Sequence, residues 1–361
     1  MKKRILALIL AAAALLAFSS CGGGRAVMRY EGYSVSASYY TYWLSRFKAN
    51  FLYYYSDVED SDAYYSSVIG QNGETAEEVL TSLSDGRIME YLIAEYLFDH
   101  AGLTLPEATA ESVDALLDSV VEGEAAGDKK AFDGLAAQYG VSYADLREIY
   151  RIEAKSERYR SFYKTNVLTV TDAERDAYFE ENYARTVHIY IATEYRLNID
   201  ENGTLIYDEN GDYRIPYTEA EKAAQRQKIA ELEKKLTPEN FDALRAEYNE
   251  DPAASVYENG YYLSGNTEGF DGGVIAAALA MEEGEVRRVD ADHGVFFLKK
   301  LPRQARAYSV PENADFFDNF DDAVKNDLYE KFLAGEKEKV TVDAAVKDGI
   351  TIRTVSPCRN F

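Results

Sequence analysis

The chain has 361 residues, with 63 aspartates and glutamates against 39 lysines and arginines, a formal net charge of −24 and 47% hydrophobic residues. This length is enough for two or three domains with a buried core, and the composition excludes a disordered chain. A strongly acidic surface repels phosphates, so we expect no nucleic-acid partner. Two cysteines are too few for a disulfide scaffold or a multi-cysteine zinc site.

The first 20 residues have the pattern of a bacterial lipoprotein signal peptide. A basic start at residues 2–4 precedes an apolar run over 5–17, which is too short to span a bilayer. Small residues then lead to Cys21 in a segment that resembles a lipobox, although Phe18 stands where leucine is usual. We predict a signal peptide over 1–20 and a diacylglycerol on Cys21, which would anchor the chain outside the cytoplasm on the bacterial membrane. Ordinary secretion without a lipid is the alternative.

Residues 21–29 are predicted to be a tether, and residues 30–183 to be an all-helical domain. Short amphipathic patterns follow one another in this range, and one over 113–121 has apolar residues three and four positions apart. Ser142 and Thr171 precede two of these patterns as candidate helix caps. The sequence therefore indicates a bundle of short helices.

Aromatic residues are concentrated in residues 30–65, which hold ten of the 30 tyrosines. Trp43, Phe47 and Phe51 follow one another at steps of four, the spacing of a helix face. Two interpretations remain open. The stripe either packs into the core of its own domain or forms an amphipathic surface for unfolded client proteins.

The pattern changes to that of strands at residue 186. Apolar and polar residues alternate over 186–191, as in a strand with one buried face. Two Asn-Gly turns within 194–217 predict a hairpin or a three-stranded meander, and Thr218 begins a capping box. Residues 295–298 are predicted to be a buried strand, and large apolar residues every four positions over 316–332 predict a one-faced helix.

Five segments of this second half resemble the sequence blocks of parvulin-type peptidyl-prolyl isomerases. They keep the order that is typical of the family, apart from a hairpin-rich insertion at 194–217. Behind a lipoprotein signal and a helical domain, this order is similar to that of extracytoplasmic foldases of the PrsA and SurA type. The five segments are residues 186–191, 241–252, 258–260, 277–286 and 294–300.

The resemblance implies a multidomain fold. An all-α chaperone domain over 30–183 would be completed by a C-terminal helix within 305–361. An α+β parvulin-like domain with a small antiparallel sheet, over 184–304, would be inserted between them. Such a foldase would act on unfolded or secreted polypeptides and their Xaa-Pro segments. It would need no metal or cofactor, because isomerisation makes no new bond.

Two alternatives to an active foldase remain open. The first is a catalytically inactive holdase or peptide-binding lipoprotein. The second is a solute-binding or envelope-scaffold lipoprotein, which would need a polar pocket between two α/β lobes. The clustering of helices at the N-terminal side of the chain disfavours this second alternative.

Parvulins are thought to use two histidines and an Asp or Cys in one hydrogen-bond network beside an apolar proline pocket. The resemblance assigns the first histidine to His188 and the acid to Asp251, while Phe296 replaces the second histidine, and a phenyl ring forms no such hydrogen bond. His293 is expected in a turn and cannot take its place. His188 could also be a strand histidine without catalytic work. The proline pocket is assigned to Leu263, Phe270, Val274, Leu279 and Phe296.

Overall fold

The computed structural model describes residues 25–200, 204–359 and 361. The chain divides into two compact units, Met1–Leu168 with Asn326–Phe361, and Thr169–Lys325. The predicted signal peptide and Cys21 lie outside the described residues. Among the residues that are described, no helix combines the length and the apolar character needed to cross a bilayer.

The first unit opens with a strand hairpin, in part of the range predicted to be a tether. Strands β1 (Ala26–Tyr30) and β2 (Tyr33–Ser36) pair antiparallel, and the turn between them has positive φ angles at Glu31 and Gly32. Four of the five β1 residues are buried. Their apolar side chains are drawn into the core, so the tether prediction over 21–29 extends too far.

Six α-helices follow among the described residues before residue 163, and periodic apolar patterns predicted all of them except the short second one. Serine and threonine hydroxyls cap several of them. Ser36, Thr75 and Ser142 each accept a hydrogen bond from the backbone N–H three residues further on, a contact that stabilises a helix by about 0.5–2 kcal/mol. The helices are α1 (Ala37–Tyr54), α2 (Asp62–Tyr65), α3 (Ala76–His100), α4 (Glu107–Ala125), α5 (Lys129–Ala136) and α6 (Tyr143–Phe162).

The aromatic residues of α1 belong largely to the core of the first unit. Tyr40 and Tyr42 are fully buried, and the Trp43 ring lies 5.2 Å from that of Tyr91 on α3. The exceptions lie at the C-terminal end of the helix. Tyr53, Tyr54 and Tyr55 are 78%, 79% and 56% exposed. The stripe of Trp43, Phe47 and Phe51 therefore packs in or against the core, and the exposed tyrosines of this segment lie at its C-terminal end.

The second unit is an α+β unit, built of the elements predicted for the parvulin-like domain and a helix before them. Four strands form an antiparallel sheet in the order β6-β3-β8-β7. Strands β4 and β5 form a separate pair within residues 194–217. We call residues 194–217 the arm; residues 201–203 of it are not described. The elements are α7 (Asp172–Asn182), β3 (Ala184–Ala192), β4 (Tyr195–Leu197), β5 (Arg214–Pro216), α8 (Glu219–Lys235), α9 (Phe241–Tyr248), β6 (Tyr261–Leu263), α10 (Gly272–Ala280), β7 (Val286–Ala291) and β8 (Gly294–Leu301).

Alternation along β3 divides its side chains between the two faces of the sheet. Val187, Ile189 and Ile191 pack with residues of α8 and α9 in one core. His188 and Tyr190 point to the opposite face, where Tyr190 is paired with Phe296 on β8. The predicted parity of the strand is confirmed, and it determines which residues border the candidate site.

The chain ends with α11 (Phe320–Lys337), β9 (Thr341–Val342) and α12 (Ala344–Lys347). Strand β9 pairs with β1, so the C-terminal segment completes the first unit, as predicted. In α11, the fully buried residues are Val324, Tyr329 and Leu333, so the steps between them are five and four. An α-helix turns once every 3.6 residues, so a strict step of four drifts around it. The predicted stripe over 316–332 therefore does not stay on one buried face.

The second unit is longer than the predicted range 184–304. Helix α7 belongs to it, because the Phe179 ring packs 5.7 Å from Phe317 and the Tyr178 ring 5.8 Å from Phe320. All strand pairs of the described ranges are antiparallel. The described residues therefore do not form the two α/β lobes that a solute-binding protein would need.

Candidate functional site

The segment that carries Asp251 is attached to β3 by backbone contacts. The Tyr190 N–H donates to Asn249 Oδ1 at 2.7 Å, and the Glu250 N–H donates to the Tyr190 carbonyl at 2.9 Å. Asp251 Oδ1 accepts from the Ala253 N–H at 2.9 Å. These contacts fix the carboxylate, and its Oδ2 lies 2.9 Å from His188 Nε2. The structure thus brings together the two residues that the sequence assigned to one network.

Tyr261 is a third member of this group. Its hydroxyl donates to Asp251 Oδ2 at 2.5 Å, and its ring centroid lies 4.9 Å from that of His188. Gly260 positions it, with φ +95 and a Cβ position only 2.6 Å from the Thr186 carbonyl. Only glycine allows this approach to β3.

The sequence analysis did not identify Tyr261. The loop typical of parvulins reads NGGDLGWF, and Tyr261 stands at its second glycine. That departure could have identified the residue. Glycine has no side chain, whereas tyrosine brings a large ring and a hydroxyl into a loop that lies near His188.

The hydrogen bonds of this group determine its charges. Burial opposes ionisation of Asp251, but the hydrogen bonds from His188 and Tyr261 outweigh it and lower the pKa of that carboxyl. Burial, together with the bond to Asp251, raises the pKa of the Tyr261 hydroxyl. At neutral pH, Asp251 is therefore an anion that receives two side-chain hydrogen bonds at Oδ2 and a backbone hydrogen bond at Oδ1.

An ionised carboxylate only accepts hydrogen bonds, so the network assigns a proton to His188 Nε2. In a neutral imidazole the other nitrogen, Nδ1, is then an acceptor. His188 is 2% exposed, and within the described ranges its Nδ1 has no hydrogen-bond partner. A buried acceptor without a partner is costly, and it marks the position at which the network is incomplete.

Phe296 and Phe270 form the apolar side of the site. The ring centroid of Phe296 lies 5.3 Å from that of His188 and 4.7 Å from that of Tyr190. Phe270 lies 5.8 Å from His188. Phe296, which the sequence analysis aligned with the second histidine, is thus a direct neighbour of His188.

These residues border a cavity of about 860 Å³. His188, Asp251, Phe270 and Phe296 all line it. The arm forms another part of its wall, through Tyr195, Arg196, Leu197 and Ile199 together with Tyr217. The cavity is therefore a mixed aromatic and polar depression of the second unit, with the hydrogen-bonded group among its lining residues.

Three residues assigned to the proline pocket do not line this cavity. Leu263 and Val274 are fully buried in the core that β6 forms with α10. Leu279 is 36% exposed and lies near the end of α10. The helix is apolar on nearly every side, and sequence alone could not show which of its faces meets the sheet.

The end of β3 and the first residues of the arm contact the turn between β7 and β8. The Thr193 N–H donates to the His293 carbonyl at 2.9 Å, and the Tyr190 hydroxyl donates to the same carbonyl at 3.2 Å. The His293 ring lies 5.2 Å from that of Tyr195. As predicted, His293 lies in a turn, and it lines the cavity without a contact to His188.

Comparison with known proteins yields matches among solved structures. PrsA from Bacillus subtilis is 20% identical, with 79% of this chain and 91% of that chain covered and a TM-score of 0.20. The foldase PrsA from Streptococcus pneumoniae is 11% identical, with 91% and 98% covered and a TM-score of 0.24. The peptidylprolyl isomerase PrsA from Bacillus anthracis is 14% identical, with 70% and 96% covered and a TM-score of 0.24.

These structures carry the same family name as the resemblance noted in the sequence. No protein-family model matches the chain, and no curated protein does. Because the TM-scores and identities are low, the activity of this chain has to be inferred from its own residues.

Proposed function

We propose that this chain is an extracytoplasmic foldase, anchored to the bacterial membrane by a lipid on Cys21. Its second unit holds Xaa-Pro segments of unfolded or secreted polypeptides in the cavity. One observation carries this proposal. The hydrogen-bonded group of His188, Asp251 and Tyr261 lies against the aromatic rings that line a cavity of about 860 Å³.

The chemistry of prolyl isomerisation suits such a site. Rotation about the Xaa-Pro bond faces a barrier of about 18–20 kcal/mol because resonance gives the bond partial double character. Apolar walls hold the proline ring and keep water from the amide, which disfavours its charge-separated resonance form. A carboxylate near the prolyl carbonyl disfavours the same form, since that form places negative charge on the carbonyl oxygen. Phe270 and Phe296 supply the walls, and Asp251 supplies the charge.

The replacement of the second histidine favours slow catalysis. Phe296 cannot hydrogen-bond to His188, whose Nδ1 has no partner within the described residues. Binding of proline segments needs only the cavity and its aromatic lining, whereas rapid isomerisation needs the complete network. We therefore expect the parent protein to bind Xaa-Pro peptides and to isomerise them slowly.

The test uses the chain from residue 22 onward and a pair of peptides, Ala-Leu-Pro-Phe and Ala-Leu-Ala-Phe. We expect the proline peptide to bind and to shift the NMR signals of Phe270, Phe296 and Tyr261. The alanine peptide should bind more weakly. Exchange spectroscopy on the proline peptide then measures the isomerisation rate. Equal binding of both peptides, or shifts confined to residues outside the cavity, would overturn the proposal.

A further inference from the structure

The cavity is lined by more negative than positive groups. Among the described residues, its lining includes the acidic Glu250, Asp251, Glu268, Asp271 and Asp292, whereas Arg196 is the one arginine there and no lysine is present. Clefts that are lined by one sign of charge concentrate ligands of the opposite sign. The charge of the lining therefore bears on which proline segments enter.

Two of the five carboxylates are already engaged. Glu250 forms an ion pair with Lys228 at 2.7 Å and also accepts the Ala192 N–H. Asp251 receives the hydrogen bonds of His188 and Tyr261. The charge of Glu250 is balanced by Lys228, and the oxygens of Asp251 are occupied by hydrogen bonds within the protein, so neither binds a cationic side chain as readily as a carboxylate without such partners.

The other three carboxylates lack a basic partner. Glu268, Asp271 and Asp292 form no ion pair with any described residue, and Asp271 only accepts the Gly273 N–H at 2.7 Å. The guanidinium of Arg196 lies 3.5 Å from Glu221, which reduces its effect on the cavity. Unlike the first two, these three carboxylates are free to meet a cation that a ligand brings.

All three of these acidic residues line the cavity, as Phe270 and Phe296 do. Glu268 and Asp271 flank Phe270 in the sequence, and Asp292 belongs to the turn that also carries His293. A peptide whose proline ring packs against Phe270 and Phe296 would therefore share the cavity with these three acidic residues.

We infer that the cavity selects Xaa-Pro segments in which a lysine or arginine adjoins the proline. This inference rests on the proposed function, since it names the class of segment that the same site takes. The proline ring packs against the aromatic rings, and the cationic side chain lies toward Glu268 and Asp271 or toward Asp292. Segments with a glutamate or aspartate beside the proline are disfavoured by the same charges.

The experiment measures dissociation constants of the chain from residue 22 onward for four peptides: Ala-Lys-Pro-Phe, Ala-Leu-Pro-Phe, Ala-Glu-Pro-Phe and Ala-Lys-Ala-Phe. At low salt we expect the Lys-Pro peptide to bind about fivefold more tightly than the Glu-Pro peptide, the size of effect that exposed ion pairs give. The difference should largely vanish at about 0.5 M salt, where screening is strong.

Matched variants test whether the preference for the Lys-Pro peptide comes from the acidic residues of the cavity. Replacing Glu268→Gln and Asp292→Asn together should reduce the preference to less than about twofold. Arg196→Gln should increase it, because it removes the opposing charge. Glu283→Gln is the control, since Glu283 is an exposed acidic residue of the second unit that does not line the cavity, and it should leave the preference unchanged.

The outcomes separate this inference from the proposed function. If the three proline peptides bind equally well, the site takes proline segments without charge selection and the inference is wrong. An equal loss of preference in the Glu283→Gln control would show a general effect of net charge, which also contradicts it. If Ala-Lys-Ala-Phe binds as tightly as Ala-Lys-Pro-Phe, the cavity does not recognise proline, and the proposed function fails with the inference.

Discussion

At the scale of single residues, His188 lies at the centre of the hydrogen-bonded group. Its Nε2 contacts Asp251, and its Nδ1 has no partner in the described part of the chain. The ring centroid of Phe296 lies 5.3 Å from that of His188, and the ring centroid of Tyr261 lies 4.9 Å from it. The two substitutions relative to the family pattern, phenylalanine at 296 and tyrosine at 261, therefore both adjoin His188.

Replacing Phe296→His should raise the isomerisation rate of the parent protein. The new imidazole would be a neighbour of His188 and could donate to its Nδ1. A hydrogen bond is worth about 0.5–1.5 kcal/mol net, and correct orientation of a group near the reacting bond is worth up to about a hundredfold. We expect a gain between about fivefold and a hundredfold, measured by exchange spectroscopy on one Xaa-Pro peptide.

Phe296→Leu is the control for this experiment, because it alters the aromatic wall without adding a hydrogen bond, and it should give no gain. His188→Ala in the parent should change the rate little. A parent that is already fast and that loses its activity on His188→Ala would contradict the assignment of Phe296 as the defect.

Replacing Tyr261→Phe should destabilise the second unit in a pH-dependent way. The hydroxyl bonds to the ionised Asp251, whose pKa is lowered in the folded state, and such a bond contributes about 1.5–3 kcal/mol. A lowered pKa stabilises the fold above the unfolded value of about 3.9, and the stabilisation is lost as the pH falls through the folded value. The difference between parent and variant should be constant from about pH 5 to 8 and should shrink below about pH 4.

The measurement is urea unfolding of the second unit, followed through the NMR signals of the Ile189 and Val295 methyl groups. Tyr262→Phe is the matched control, since the Tyr262 hydroxyl bonds to the neutral Gln304. Its effect should not vary between pH 3 and 8. A pH-independent loss in Tyr261→Phe would show that Asp251 does not titrate as the network requires.

The sequence predicted the centre of the site better than its walls. His188 and Asp251 were assigned because two blocks of the family keep their order, and they are hydrogen-bonded in the structure. Tyr261 and the arm were not assigned to the site, because a family pattern describes only the positions that a chain shares with the family. Leu263 and Val274 were assigned to the pocket and lie in the core, because apolar residues serve both environments equally well.

At the scale of elements, helix α1 has two different ends. Its first half is buried in the aromatic core, and its last residues expose three consecutive tyrosines. Hydrophobic periodicity predicted the helix but could not separate the two parts, because both carry the same residue types at the same spacing. Contacts with α3 decide which rings are covered, and those contacts come from distant sequence.

Replacing Tyr53, Tyr54 and Tyr55 together by serine should weaken the suppression of aggregation of an unfolded test protein. Exposed aromatic rings provide apolar contact area while tolerating water. Since these side chains are more than half exposed, the fold should lose less than about 1 kcal/mol of stability. Light scattering of the test protein measures the effect.

Leu116→Ser is the matched control for this variant. Leu116 belongs to the apolar pattern over 113–121 on α4, and it is 58% exposed. The variant should suppress aggregation as the parent does. If the triple variant also suppresses aggregation like the parent, clients bind elsewhere and the tyrosine end of α1 has no part in their binding.

At the scale of the whole molecule, the proposed function needs the chain to be held at the membrane. The acidic composition does not favour adhesion to anionic lipid, so the lipid on Cys21 would provide the attachment. Replacing Cys21→Ala should move the protein from the membrane fraction to the soluble fraction. Cys358→Ala is the control, since Cys358 is a buried cysteine of the C-terminal segment, and it should leave the partitioning unchanged.

Mass spectrometry of the N-terminal peptide provides the second readout for the anchor. A lipid mass on the peptide that begins with Cys21 is expected in the parent and in Cys358→Ala. Unmodified peptide in the parent, with the protein still in the membrane fraction, would show that something other than this cysteine holds it there.

The pairing of β1 with β9 has a consequence for the order in which the protein folds. Met28 pairs with Val342 across these strands. Strand β1 therefore cannot complete its pairing until residues more than 300 positions later have been synthesised. The second unit is a continuous stretch of chain and has all its strands before then. During synthesis it is the part that can fold first. Until the last segment is made, the core positions that Tyr329 and Leu333 occupy stay empty, so the first unit remains incompletely folded for longer than the second.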